Sequence, residues 1–433
     1  MRTRIALLAI ALVFAVRLFA ADAALRSQVD ALYPEINALY VDLHQSPELS
    51  LKEEKTSAKM AAALRKLGYE VTTNVGGYGV VGILRNGSGP VVMLRTDMDA
   101  LPVEEKTGLP YASHVRMKDI TGDDVPVMHA CGHDIHMTSW VGTATIMART
   151  RDSWSGTLML VGQPAEERIV GAKAMLNDGL FTRFPKPTYA VGMHDNAWYP
   201  AGKVIVVPGY AMAAADAVNI TIFGKGGHGS APHTTVDPIV IAAHSILGFQ
   251  SLVAREKDPQ DPGVVTVGAI HAGTKNNIIP DDALLQLSIR SFTPQVREQL
   301  LSGVERIVKA EAASAGATKA PEVKVIESTR ATYNDPDLSR RMLAVLKQQM
   351  GNDSVVEGKP VMGSEDFSEF VAAGVPGFFL WAGAVNQAEW DAVKGDITRL
   401  PSLHSAQFQP DPEPTLKSAI TAEVIMLREL LKK

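Results

Sequence analysis

The sequence predicts an α/β fold: a mixed-sheet α/β domain, discontinuous along the chain, that carries an inserted ferredoxin-like α+β domain. Three observations predict it. Strand-like and helix-like stretches alternate through residues 24–212, which argues a sheet that is at least partly parallel. Residues 213–328 then run in the order β-α-β-β-α-β, the ferredoxin-like arrangement. Residues 329–433 return to the first texture. A chain of 433 residues is long for one core, and ~150 residues per domain gives two or three.

In order, Leu25, Val29, Leu32, Ile36, Leu39, Tyr40 and Leu43 mark a helix over 24–43. A second helix, 53–67, stops at Gly68. Short β-branched runs at 69–75, 79–84 and 91–94 read as strands, with Asn86-Gly87 as the turn between the last two. The third feeds Arg95-Thr96-Asp97-Met98-Asp99-Ala100-Leu101-Pro102, so two carboxylates emerge at a strand end. Helix 133–149, strand 157–161, helix 171–180 and strands 189–193 and 203–207 complete the first segment.

In the insertion, strand 218–223 leads into a glycine loop. Asp237-Pro238 caps and opens a helix to about 253. Strands 264–269 and 284–291, helix 295–316 and strand 322–328 complete the insertion. Helix 337–350, strand 377–381 and helix 413–432 belong to the returning segment.

The N-terminus has its own pattern. Arg2 and Arg4 precede an apolar run from Ile5 to Val16, and Ala21-Asp22-Ala23 is a small-x-small sequence. This reads as a secretory signal peptide over 1–23, too short to span a bilayer, which needs ~20 apolar residues. The expectation is an exported, periplasmic or secreted protein with no stable membrane span after processing. A formal charge of -5 with no basic run beyond the N-terminus leaves no electrostatic footprint for nucleic acid.

The single cysteine lies in Met128-His129-Ala130-Cys131-Gly132-His133-Asp134-Ile135-His136. One cysteine cannot form an internal disulfide, and thiolate and imidazole both bind divalent metals. Further polar residues stand at strand ends or in loops of the outer segments: Asp97, Asp99, Glu166, Glu167, His194, Glu365, Asp366 and His404. Donors of these types suit a pair of divalent ions. Gly224, Gly226 and Gly229 fit a dinucleotide-binding pattern, but no helix opens directly on that loop, as pyrophosphate binding needs. The loop instead presents His228.

Taken together, R-T-D-M-D-A-L-P, H-A-C-G-H-D-I-H, G-Q-P-A-E-E, G-M-H, G-K-G-G-H-G-S-A-P-H, N-N-I-I-P-D, G-S-E-D-F and L-H-S resemble the metal-dependent amidohydrolases and aminoacylases. That group includes hippurate hydrolase and the indole-acetyl-amino-acid hydrolases, a branch of a wider group with metallo-carboxypeptidases and deacetylases. The resemblance implies a catalytic domain over 24–212 and 329–433 and a lid, or dimerisation, domain over 213–328. It implies two divalent ions (zinc, manganese, cobalt or nickel) held by Cys131, His133, Glu167, His194 and His404, with Cys131 bridging. Glu166 matches the general base. His228 resembles a histidine that reaches across a homodimer, and Asn277 the lid's amide contact to the reacting carbonyl. Arg290 resembles a residue that holds the substrate's carboxylate.

The implied substrate is an N-acyl amino acid or a related conjugate. A dipeptidase or carboxypeptidase would use the same chemistry, and a binding protein that has lost catalysis would have no need of Glu166. Two departures stand out: Thr96 replaces a usual alanine, and Asp195-Asn196 come after His194 where an apolar residue and an aromatic are common.

Overall fold

The protein is described by a computed structural model covering residues 2–432, with side chains described from residue 23. The expected signal peptide therefore lies, but for Ala23, outside the residues whose side chains are described. The chain forms two compact units: Met1–Gly209 with Tyr333–Lys359 and Glu369–Lys433, and Tyr210–Thr332 with Pro360–Ser368. The second unit spans the expected insertion to within a few residues. It also takes in 360–368, which by sequence order belongs with the outer segments. Backbone pairing is the reason: Ala213 N–H bonds the carbonyls of Val361 and Gly363, and Met212 bridges Val361.

The first unit is built on an eight-stranded mixed sheet. Its lateral order is Glu70–Val75, Gly79–Asn86, Gly156–Gln163, Val91–Asp97, Tyr189–Pro200, Gly377–Val385, Val204–Val206, Val355–Glu357. The four central strands from Gly156–Gln163 to Gly377–Val385 run parallel. They are buried on both faces, as central parallel strands are. Register sets Asp97 opposite Gln163 and His194 opposite Trp381. The polar residues thus leave the sheet at the carboxyl ends of neighbouring parallel strands, where open α/β sheets bind ligands.

Helices Arg2–His44, His133–Arg149 and Pro412–Leu430 pack with the sheet around one core. The expected stripe on the first is real: Leu25, Val29, Leu32, Ile36, Tyr40 and Leu43 are buried. The second is buried nearly all round. Gly142 gives it room, because a side chain there would meet the Ile420 methyl 2.5 Å away.

Some elements differ from expectation. The single helix over 171–180 is two, Gly171–Asn177 and Leu180–Arg183, split where Gly179 turns left-handed at φ +87°. The hairpin Arg116–Lys118 with Asp124–Pro126 and the helix Gln387–Val393 had no clear periodic signal.

The second unit has a four-stranded antiparallel sheet in the order Gly263–Ala272, Asp282–Ser291, Ala214–Phe223, Glu322–Thr329. Helices Pro238–Ser251 and Pro294–Ser314 pack on it through Phe249, Leu300 and Val304. This is the ferredoxin-like topology. Both helices start with proline behind a side-chain cap: Asp237 accepts the Ile239 N–H and Thr293 the Val296 N–H. The run Pro238–Glu256 is long and apolar enough to cross a bilayer by length and composition alone. Its Ile241, Ala242 and Phe249 are buried in the unit's core.

Candidate metal centre

The centre begins with a turn. Gly132 adopts φ +72° and starts helix His133–Arg149. A Cβ there would lie 2.3 Å from an Asp195 carboxylate oxygen. Glycine is required both for the left-handed backbone and for the close approach, and it sets Cys131 and His133 on either side of the bend.

Around the Cys131 sulfur the donors converge. His404 Nε2 lies 3.2 Å from Sγ and His194 Nε2 lies 3.4 Å away. His404 Nε2 is also 3.5 Å from one Glu167 oxygen. His133 Nε2 stands 3.8 Å from Glu167 and 3.9 Å from Glu166. Three donor groupings result: Cys131, His133 and His194; Cys131, Glu167 and His404; and His133, Glu166 and Glu167. All of these residues belong to the first unit. His404 is held with φ +66° by an N–H bond to the Ala130 carbonyl, and its half-exposed side chain is the cluster's opening to solvent.

Adjacent residues in extended chain point to opposite sides, so Glu166 and Glu167 need a device to face the same way. The strand ends at Gln163, and Ala165 turns left-handed at φ +51°. Such a conformation is uncommon for a residue with a side chain and is often found where function demands it. Glu53 pins the turn by accepting the Ala165 N–H at 2.8 Å. Asp99 pins both glutamates, accepting the Glu166 and Glu167 N–H groups at 3.1 and 3.0 Å and the Ser50 hydroxyl at 2.6 Å.

The imidazoles are aimed from behind. His133 Nδ1 donates to the Asp99 carbonyl at 2.7 Å, and His194 Nδ1 to the Asp195 carbonyl at 2.7 Å. Each ring therefore turns Nε2 inward, the usual way that outer hydrogen bonds orient metal-binding histidines. His136, the last residue of the H-A-C-G-H-D-I-H run, joins the site without a role in the resemblance. It sits one helical turn beyond His133, bonding Asp97 through Nδ1 at 2.7 Å and facing the Asp195 N–H through Nε2 at 2.9 Å. Its i, i+3 spacing from His133 is the signal for it in the sequence.

Electrostatics match a cation site. Burial opposes a proton on His133, but Asp97, Asp99 and Glu167 outweigh it and raise its pKa well above the usual range. Burial lifts Glu167 to about 7 against the pull of His133. Burial, with Glu167 and Glu166 close by, pushes the Cys131 thiol far up. Burial and the neighbouring His133 and His194 lower His404 to about 4. A pocket that draws a proton between imidazole and carboxylates is one where a metal cation can take its place.

The fit of a metal rests on orphaned atoms. His133 Nε2 and Glu167 Oε1 are buried without a hydrogen-bond partner, although buried polar atoms nearly always find one. Two donors bound to one tetrahedral zinc are about 3.4–3.8 Å apart. The separations here, 3.2–3.9 Å, are of that size.

The remaining predicted residues lie in the second unit. His228 is exposed on the two-residue strand Gly227–His228. Its Nδ1 accepts the Ser230 N–H at 3.1 Å, leaving Nε2 to carry the proton in the neutral ring. Asn277 is also exposed, and its carbonyl accepts the Gly229 N–H at 2.9 Å, so the loops bearing His228 and Asn277 are tied together. Arg290 is half-buried, donating to Ser364 at 2.9 Å and Ser288 at 3.2 Å. Glu365 belongs to the same unit and accepts the Phe367 N–H. The glycine loop makes no helix start of its own, and the next α-helix opens only at Pro238.

Residues 93–395 match the model of Peptidase family M20/M25/M40. Thermostable carboxypeptidase 2 of Saccharolobus solfataricus is 40% identical over 389 residues, covering 89% of this chain and 92% of that protein. Hippurate hydrolase of Campylobacter jejuni is 38% identical over 343 residues, covering 78% and 85%. Among solved structures, the YXEP protein of Bacillus subtilis, a dinuclear metal binding peptidase from the M20 family, superposes with a TM-score of 0.74 at 29% identity, covering 92% and 98%.

Proposed function

The chain belongs to Peptidase family M20/M25/M40, and we propose that it is an exported metal-dependent amidohydrolase that cleaves N-acyl amino acids or related conjugates. One observation supports the chemistry above others: Glu166 and Glu167 are turned to the same side, towards His133 Nε2, by a left-handed Ala165 and a clamping Asp99. A binding site alone has no use for that second carboxylate.

Cys131, His133, Glu167, His194 and His404 would hold two divalent ions, which when bound supply Lewis acidity and a water of lowered pKa. Glu166 takes a proton at a carboxylate oxygen from the water whose oxygen bonds the amide carbonyl carbon, and returns it to the nitrogen as the C–N bond breaks and the amine departs. Asp99, through the backbone N–H groups of both glutamates, keeps Glu166 and Glu167 in their separate tasks. His228 offers its Nε2–H, and Asn277 its amide, to the oxyanion; removing one such donor typically costs ~10²–10³ in rate. Arg290 holds the substrate's carboxylate.

Release of amino acid from a panel of N-acetyl and N-benzoyl substrates by metal-reconstituted protein tests this reading. Activity should vanish on chelation and return with metal. A panel left intact by fully metal-loaded protein would count against it. A peptidase acting on unblocked peptides is the second reading, favoured by the carboxypeptidase relative, and dipeptides in the same panel separate the two. In a homodimer with His228 acting in trans, inactive Glu166→Gln and inactive His228→Ala subunits should recover activity when mixed. Export is tested by fractionation and N-terminal sequencing, with a new N-terminus near Ala24 expected.

A further inference from the structure

Beside the centre lies a pocket that the proposed chemistry does not use. It has a volume of about 170 Å³, and Glu167 forms part of its wall. A complete small-molecule site is typically ~300–1,000 Å³, so this one takes a part of a ligand. Leu49, Ala100, Leu101, Pro102 and Ile120 supply apolar lining.

Its charges are unusual. Arg168 lines the pocket from the turn just after the two glutamates, closed by Ile169 N–H to the Glu166 carbonyl at 2.7 Å. It is half-buried, yet no hydrogen bond or ion pair is found for it among the described residues. A partly buried guanidinium is normally matched by a carboxylate, since its planar fork suits one. Lys52, on the opposite loop, is spent on backbone: its ammonium bonds the carbonyl of Lys118 at 2.5 Å, holding the tip of the hairpin over the pocket. Of the two acids in the lining, Asp119 accepts through Oδ1 from Thr121 and from the Asp123 N–H within its own loop. Glu167 faces His133 and His404. Lys52 and Arg168 thus border the pocket, and neither is ion-paired among the described residues.

We propose that this pocket is a subsite for an anionic group of the substrate: a carboxylate on a short apolar chain or ring, received by the Arg168 guanidinium, with Lys52 adding positive charge at the rim. The preferred substrates are then amides bearing an additional carboxylate. The inference rests on the hydrolase reading, and its test is arranged to fail separately.

The first arm needs no turnover. Glutarate and pentanoate differ only in a second carboxylate, so titration calorimetry on metal-loaded protein should find glutarate about ten- to hundredfold tighter. Arg168→Gln should bring that ratio toward one, and Arg168→Lys should keep part of it. Equal affinities in the wild type, or a preference that survives both Arg168→Gln and Lys52→Gln, overturns the subsite. The second arm places it. N-glutaryl-leucine against N-pentanoyl-leucine probes the acyl side, and N-acetylglutamate against N-acetylglutamine the amino-acid side. One pair should show a kcat/KM preference for the charged member that Arg168→Gln removes; equal rates within both pairs overturn the subsite. Hydrolysis of neither pair, with the glutarate preference intact, leaves the subsite standing and rejects the hydrolase reading.

Discussion

Two histidine clusters of the first unit meet at the adjacent residues His133 and Asp134 and are built on opposite principles. In one, His44 is held between Asp134 at 2.6 Å and Glu105 at 3.1 Å, with all three side chains at most 1% exposed. Both ring nitrogens are used, and Tyr111 closes over the ring edge. In the other, His133 and His194 are bonded from behind through Nδ1, and with His404 they turn Nε2 toward sulfur and carboxylate. The first is complete as it stands. The second leaves His133 Nε2 and Glu167 Oε1 without partners. Burial and charge are common to both, so neither property distinguishes a functional site. What does is donor atoms arranged around a shared point with no proton to satisfy them all.

The contrast can be broken experimentally. The largest effect belongs to Glu166→Gln: turnover should fall by ~10²–10⁴, with metal content by elemental analysis unchanged. A parallel loss of metal would make Glu166 a ligand and not a base. On the closed side, His44→Ala should leave Glu105 and Asp134 facing each other without their cation. Breaking a buried pair costs about 3–5 kcal/mol, to be read as a lower denaturation midpoint at unchanged metal stoichiometry.

A third substitution lies just behind the metal centre. Asp195→Asn keeps the shape beside Gly132 but removes a charge 3.0 Å from His194 Nδ1. Disturbing such a bond typically weakens metal affinity ~10–100-fold, measurable by competition with a chelator. An unchanged affinity would show that the Asp195 backbone carbonyl alone orients His194.

The smallest effect is a pH slope. Burial opposes a charge on His44, but bonds to Asp134 and Glu105 carry its pKa up to about 10, against ~6.5 in the unfolded chain. A raised folded-state value means stability fully present below about 6.5 and lost as pH rises through about 10. Wild type should lose stability across that window more steeply than His44→Gln; parallel curves would show that the histidine is not charged in the fold.

Much of this architecture is legible along the chain. The buried stripe from Leu25 to Leu43, the caps at Asp237-Pro238 and the β-α-β-β-α-β order are local patterns, and local periodicity survives whatever the rest of the chain does. The donor types are legible too, because Cys131-Gly132-His133 and Glu166-Glu167 are short motifs whose chemistry is fixed by residue type. The helix break at Gly179 and the hairpin at 116–126 are not, because an isolated glycine and two three-residue strands carry little periodic signal.

The sequence by itself determined which side chains were available as metal donors and in which secondary elements they ride. Only the tertiary structure decided that Glu166 and Glu167 face one way, that His44 closes on itself while His133 stays open, and that Arg168 borders a pocket without an ion-pair partner of its own. The physical reason is distance along the chain. Asp99 and Glu53 act on residues 165–167 through bonds that span 67 to 112 positions, and such a contact exists only after sheet register and left-handed turns have brought remote segments together.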